Sequence, residues 1–393
     1  MTLRLCIRTH TEIDLTEFVY GHGMIVAVSD IHLGDKASNR AGFSDFIERY
    51  LKPNSEKITE LYLLGDILDL WRRDTSAVIS DNLEILNSIC SLGFHVFYIV
   101  GNHDLIMADV SGDGPEGKAL AELTHTPASL TICTNHHLTD GKRNFRFIHG
   151  HQIDYWYALP FYQAFCRAMC HIHEFHTTRA DLWNLVHLFS KDLSPIVAKR
   201  IERLSEGARR EIERKLAAPL DGYTVSKEES AVVELDLLSQ FIEIGGLCPS
   251  ASDDKSFDAI RREMISLCDD AETLGADLES VQNLSQVAIH GTPEEVVNRF
   301  LMTWSDIHRW ILELDREGTK LSQRVQLVRH LRRIAAMLTA DLRPDEFLIH
   351  GHDHHGYVDE GIGVADTGCW TGKKASFITI DNGKVACKRW PLL

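Results

Sequence analysis

With 393 residues the chain can bury a large core, and its length suggests either one large domain with an insertion or two domains. Hydrophobic and charged fractions of 44% and 25% are ordinary for a globular protein, while 41 basic against 57 acidic residues, a net charge of −16, argues against a nucleic-acid backbone as the main partner. Nine cysteines lie scattered without a C-x-x-C pair, the start MTLRLCIRTHTEID has no apolar h-region, and no apolar run approaches ~18 residues, so the expectation is a reducing, cytoplasmic setting without a membrane span.

In chain order, Met24–Val28 reads as a strand, Gly42–Tyr50 as a helix, Leu61–Leu64 as a strand, and Asn82–Ser91 as a helix closed by Gly93. Phe94–Val100, Leu130–Cys133 and Phe145–Ile148 follow as strands. Such strand–helix alternation, with polar residues kept to the loops, predicts a layered α/β architecture. From about Tyr157 to Leu342 the pattern turns helical. Val297, Phe300, Trp304, Ile307, Ile311 and Leu314 draw one apolar stripe, opened by the capping box Thr292–Pro293–Glu294–Glu295. Leu321, Val325, Val328, Leu331, Ala335 and Leu338 draw a second stripe, and Ile201, Leu204, Ala208, Ile212 and Leu216 a third. Strands return at Phe347–His350, Gly363–Gly368, Phe377–Ile380 and Val385–Trp390, the last two flanking the hairpin signal Asp381–Asn382–Gly383–Lys384.

Five short strings carry the chemistry: SDIHLGD, LLGDILD, VGNHD, FIHGH and IHGHDHH. They offer Asp30 and His32, then Asp66, Asn102 with His103, His149, and finally His352 with His354. Three follow apolar runs, so their polar residues sit where a buried strand gives way to a loop, held rigidly yet open on one side. Carboxylate and imidazole in these proportions suit two divalent cations, Mn, Fe or Zn, with one carboxylate left to bridge. The fourth ligand is less defined, because His-Gly occurs at His149, His290 and His350. His149 continues the α/β segment directly, His290 follows the strand-like LSQVAI, and His151 could bind in place of His149. His171, His173 and His176 do not make a third site on a helix, since positions two apart diverge.

These five strings in this order resemble the calcineurin-like metallophosphoesterase superfamily, with its D-x-H, G-D-x-x-D, G-N-H-[DE], an H near Gly, and G-H-x-H. The resemblance covers roughly residues 24–155 and 345–393. It implies a four-layer αββα sandwich for the catalytic domain, residues 1–155 and 343–393, and leaves the helical block, read from its periodicity, as a large all-helical insertion at 156–342. It further implies Asp30, His32 and His354 on one metal, Asn102, His149 and His352 on the other, and Asp66 as the bridge. Two metals ~4 Å apart can clamp a phosphoryl oxygen and lower the pKa of a bridging water to supply hydroxide. His103 would protonate the leaving oxygen, Asp104 would orient its ring, and Asp69 would hold a ligand histidine from behind, with His151 a further supporting residue.

Within the superfamily, GDILDLW with Trp71 resembles the UDP-2,3-diacylglucosamine hydrolase branch. The chain departs from it at His103, where the branch has Arg, and at His149–Gly150–His151, where the branch has H-G-D. The expected substrate is a phosphomonoester or a nucleotide-linked pyrophosphate. Arg72, Arg73 and Trp156 would contact it, and the aromatic run Tyr155–Phe165 would wall the leaving-group side. Lys373 and Lys374 read as solvated. Nucleic acid is disfavoured, and peripheral lipid contact is left open. The rival readings are a phosphodiesterase or nuclease of the same fold and a non-catalytic interaction scaffold built on the helical block.

Overall fold

The computed structural model describes residues 23–71, 73–109, 130–141, 143–153, 166, 170, 254–273, 279–292, 295–296, 299–300 and 321–391. The chain divides into two compact units: Met1–Gly150, Cys166–His176 and Asp345–Leu393 make the first, and His151–Phe165 with Thr177–Pro344 the second.

The first unit holds eleven described strands in two sheets. These are β1 (Met24–Val28), β2 (Ile58–Leu64), β3 (His95–Ile99), β4 (Leu130–Cys133), β5 (Asn135–Asp140), β6 (Arg143–Ile148), β7 (Glu346–His350), β8 (Tyr357–Asp359), β9 (Val364–Asp366), β10 (Ser376–Asp381) and β11 (Lys384–Arg389). The first sheet runs β11-β10-β1-β2-β3-β4 and the second β5-β6-β7-β9-β8. β1, β2, β3 and β4 are mutually parallel, as are β6, β7 and β9. The continuous apolar runs of β1 and β2 suit central strands covered on both faces. Ile25 and Ala27 in β1, Tyr62 and Leu64 in β2, Phe97 and Ile99 in β3 and Ile378 in β10 meet Phe145, Phe147, Phe347, Ile349 and Ala365 of the second sheet in one core. Tyr62 and Phe147 stack at 3.8 Å between ring centroids, joining the sheets.

Two helices cover the outer face of the first sheet. α1 (Arg40–Phe46) is capped by Asn39, whose side chain accepts from Gly42 N–H, and continues as a π turn over Ile47–Leu51. Its Phe43 and Phe46 pack on Trp370, and Phe46 on Phe377 of β10. α2 (Thr75–Cys90) begins seven residues before the expected Asn82, because Asp74 caps it by accepting from Ala77 N–H at 2.9 Å. Its Leu86, Ile89 and Cys90 line a small apolar cavity with Leu63 and Tyr98. Helix on sheet on sheet is therefore an α/β fold, as expected.

Two strands were not anticipated, β5 and β8. Both are edges of the second sheet, and NHHLTD in β5 alternates exposed and half-buried positions, so neither carries an apolar signal. The hairpin was anticipated: Asn382 and Gly383 take φ of 51° and 75°, the pair a tight primed turn requires, between β10 and β11.

The second unit shows three described helices, α3 (Asp254–Thr273), α4 (Glu279–His290) and α5 (Leu321–Thr339), with α3 packed on both others. The expected strand-like LSQVAI is helical, inside α4: Leu284 and Ala288 are buried four residues apart, a helical spacing, and His290 ends the helix exposed. In α5, Leu331, Ala335 and Leu338 are buried as the stripe requires, while Val325 and Val328 are half-buried and Leu327 and Ile334 take the core. The capping box is present: Thr292 N–H donates to Glu295 at 2.7 Å and Glu295 N–H to Thr292 Oγ1 at 3.3 Å. His330 joins α5 to Glu263 of α3 at 2.7 Å. Most of the Val297–Leu314 stripe, and all of Ile201–Leu216, lie outside the described residues. Among the described residues no helix is long and apolar enough to cross a membrane.

Phe147 is fully buried between the sheets. Phe147→Ala should lower stability by about 3–5 kcal/mol, read from the midpoint of urea unfolding. A loss within experimental error would mean that the two sheets do not share this core.

Candidate metal centre

Five loops meet at the carboxyl ends of β1, β2, β3, β6 and β7, where open sheets with parallel strands present ligands. Backbone hydrogen bonds stitch these loops to one another. Asp30 N–H donates to Gly65 carbonyl, His32 N–H to Asp66, Leu33 N–H to Ile67, Asp69 N–H to Leu33, Leu70 N–H to His103, and Gly351 N–H to His149. Among the described residues seven non-glycine residues have positive φ, and five of them are expected ligands: Asp30, His32, Asp66, His352 and His354. Such a conformation persists only where its surroundings over-determine it, and it concentrates where function needs a fixed side chain.

The side chains converge in two groups, one of Asp30, His32 and His354 and one of Asp66, His149 and His352, with ligand atoms within 4.8 Å inside each. His354 Nε2 lies 3.1 Å and His32 Nε2 3.9 Å from Asp30 Oδ1. Asp66 Oδ2 faces both groups, with His32 Nε2 at 3.8 Å and His149 Nε2 at 3.4 Å. Asn102 Oδ1 joins the second group at 3.1 Å from His149 Nε2. His149 Nδ1 donates to the Leu64 carbonyl at 2.6 Å, which turns Nε2 inward.

Burial and charge act against one another here. Burial alone would raise Asp30, but the hydrogen bond to His354 and the charges of His149 and His354 bring it down to about 2. Burial likewise opposes ionisation of Asp66, yet His149, His103 and His32 hold it well below the usual carboxylate range. Burial would lower His149, and the Asp66 carboxylate outweighs it and pushes the imidazole up to about 10. Among the described residues every ion-pair partner of Asp30 and Asp66 is a histidine. Carboxylate oxygen and imidazole nitrogen, without a thiolate in either ligand group, fit divalent cations.

Asp69 also joins the cluster, but between two histidines. Its Oδ2 lies 3.4 Å from His32 Nδ1 and its Oδ1 3.4 Å from His103 Nδ1. Asp104 does not orient His103, contrary to expectation. It is fully buried beneath the loops, accepting from Gly101 N–H and Tyr98 O–H at 2.6 Å and from Ile67 N–H at 2.9 Å. Turn amides there need an acceptor, and the first carboxylate within reach is spent on them. The exposed Arg73 guanidinium, expected to contact substrate, pairs with Asp81 on α2 at 2.6 Å. His151 is buried in the short helix His151–Ile153 of the second unit and belongs to neither ligand group, nor does His290. Arg72, Trp156 and the rest of the Tyr155–Phe165 run lie outside the described residues, as do His171, His173 and His176.

Sequence reasoning missed a hydroxyl pair. Ser29 Oγ donates to Asp30 Oδ2 and lies 2.5 Å from Thr367 Oγ1, while His352 N–H donates to the same carboxylate oxygen at 2.8 Å. Thr367 is 338 residues from Ser29, so nothing local could have revealed the pairing. His350 is buried too, turned from the metal groups toward the Gly351 carbonyl and Tyr357 hydroxyl.

Residues 23–187 match the family model described as calcineurin-like phosphoesterase. The matched segment contains the first four strings, and the fold itself brings in the fifth. Together the match and the converging His/Asp groups support the calcineurin-like superfamily and a metal-dependent phosphoesterase, a hydrolase of phosphoester bonds. No curated protein matches the chain.

A Cβ at Gly101 would stand 2.2 Å from Asp66 Oδ1 and 2.4 Å from Asp66 N. Gly101→Ala should therefore displace the Asp66 carboxylate and weaken Mn²⁺ binding in a calorimetric titration while cooperative unfolding is retained. Unchanged affinity would show that this carboxylate takes no part in holding the cation.

Proposed function

We propose that the chain is a dinuclear metal-dependent phosphohydrolase acting on a phosphomonoester or a nucleotide-linked pyrophosphate. The observation that carries this reading is Asp66, one carboxylate oxygen turned toward histidines of two separate ligand groups. In this reading Asp30, His32 and His354 hold one cation, Asn102, His149 and His352 the other, and Asp66 both. When bound, such a pair polarises a phosphoryl oxygen and lowers the pKa of water, supplying a nucleophile near neutral pH. Manganese is the proposed metal, and a cytoplasmic setting is proposed with it.

The remaining work falls to the chain's own groups. His103 turns Nδ1 toward Asp69, so the carboxylate holds the Nδ1 proton, and in the imidazolium form the second proton, on Nε2, would be the one delivered to the leaving oxygen. His32 shares the same carboxylate, so one anion holds both a ligand imidazole and the acid. Residues 156–342 are proposed as a helical insertion in the catalytic domain of 1–155 and 343–393. GDILDLW supports a place near the UDP-2,3-diacylglucosamine hydrolase-like branch. The net charge of −16 favours a small substrate over a nuclease role.

The test is Asp66→Ala with Mn²⁺ present, measuring bound metal and turnover of p-nitrophenyl phosphate and its bis-ester. Both should be lost while the fold survives, and a variant keeping two metals per chain with near-normal turnover would sink the assignment. Wild-type turnover of the bis-ester alone would favour a phosphodiesterase, and of neither ester a scaffold.

A second expectation concerns pH. With its pKa raised to about 10, His149 carries a proton in the metal-free protein at neutral pH. A cation taking that nitrogen must release the proton, so affinity should rise with pH up to about 10. Near pH 7, Mn²⁺ titrations in buffers of different ionisation enthalpy should report about one proton released per chain. Zero release would mean that His149 is not a ligand.

A further inference from the structure

Trp71 touches three parts of the candidate acid. Its backbone N–H donates to Asp69 Oδ1 at 3.2 Å, the oxygen that faces His103 Nδ1. Its indole N–H donates to the carbonyl of Asn102 at 3.0 Å, the peptide directly before His103. Its ring lies over the His103 imidazole, with centroids 4.0 Å apart and planes 16° apart. On another side the His103 ring meets His32 edge-on at 4.9 Å. The His103 carbonyl is tied as well, accepting from Leu70 N–H at 3.2 Å and from the Cys170 thiol. Trp71 is only 6% exposed, so its polar hydrogen is committed inside the protein.

A histidine side chain has two soft torsions, and one carboxylate contact at 3.4 Å does not by itself set the ring plane. A parallel aromatic surface does, because rotation about χ2 would drive the imidazole edge into the indole. The indole N–H fixes the peptide from which the side chain departs. We propose that Trp71 is the positioning residue that sets the plane of the His103 ring and thereby aims its proton at the leaving oxygen. This rests on His103 being the proton donor, and Trp71 acts only through it.

The distinguishing consequence is selective. An acid held off-line should cost most where the leaving oxygen most needs a proton. In the metal-loaded full chain, Trp71→Phe keeps a ring for stacking but loses the indole N–H, and Trp71→Leu loses both. Trp71→Leu should lower kcat for glycerol 2-phosphate by ~10-fold or more, and for p-nitrophenyl phosphate by less, with KM little changed and two metals per chain. Trp71→Phe should recover part of that loss. In a His103→Ala background neither substitution should add a further selective loss, because the group they position is gone.

Equal losses on both substrates, or losses that add to His103→Ala in full, would overturn the proposal and leave Trp71 as core packing. If Trp71→Leu fails to fold, Trp71→Phe carries the same comparison, and unchanged kcat on glycerol 2-phosphate in that variant would overturn the role of the N–H. An independent arm uses the metal-free protein. The indole ring current should shift the His103 ring protons in NMR spectra, and Trp71→Leu should remove that shift; unmoved signals would overturn the stacking. Wild-type protein inactive on both esters would instead remove the phosphohydrolase reading, while the NMR arm still reports on the clamp.

Discussion

Two carboxylates, Asp30 and Asp66, are buried to 0% and 2% exposure and lie near the same histidine, His32. An ionised carboxylate withdrawn from water is expensive unless opposite charge and hydrogen-bond donors surround it. Donors are supplied by the backbone: His352 N–H for Asp30 and His103 N–H for Asp66, both at 2.8 Å. Among the described residues opposite charge comes from imidazoles, chiefly His149, which the Asp66 carboxylate holds protonated. The centre is therefore a concentrated negative site whose natural complement is a cation. The stitched loops, the left-handed turns and the close-approach glycines all follow from holding that charge in place.

Neither ligand group belongs to one sheet. Asp30 and His32 leave β1 of the first sheet, and His354 follows β7 of the second. Asp66 leaves β2 of the first, while His149 and His352 follow β6 and β7 of the second. The packing of Tyr62, Phe97, Phe147 and Ile349 between the sheets therefore sets the separation of the ligands as well as the stability of the fold. A catalytic centre placed on such strand ends inherits the rigidity of the core while its loops stay open to solvent. The pairing of β1 with β10, Ile25 opposite Ile380, joins distant parts of the chain in the first sheet, and Thr367, just after β9 of the second, meets Ser29, just after β1.

Around His103, the proposed acid, the same economy recurs. Asp69 serves His32 and His103 together, and Trp71, two residues on, serves Asp69, Asn102 and His103. The tight turn that follows β2 thus places the proposed bridging carboxylate, the carboxylate between His32 and His103 and the indole over His103 within six residues, Asp66 to Trp71. Spacing of three between Asp66 and Asp69 lets one face the metal groups and the other the back of the histidines. Asp104, by contrast, was drawn away from His103 by the amides of Ile67 and Gly101, a demand that only the folded loop creates.

The amino-acid sequence by itself determined the chemistry on offer and most of the scaffold. The central strands are continuous apolar runs, the β10–β11 turn needs Asn-Gly, and the ligand strings combine residue types that no turn requires together. It left the fourth ligand open between His149, His151 and His290, and the convergence of His149 with Asp66 and His352 appears only in the folded chain. Tertiary structure alone decided what depends on residues distant in the chain. It gave Asp69 rather than Asp104 to His103, set Ser29 and Thr367 against Asp30, committed Arg73 to Asp81, and made a helix of LSQVAI. The polar edge strands β5 and β8 belong to the same class, for their backbone finds its partners only in the neighbouring strand. A residue's type announces what it can donate or accept, but which partner it meets is fixed by contacts whose sequence separation reaches hundreds of residues.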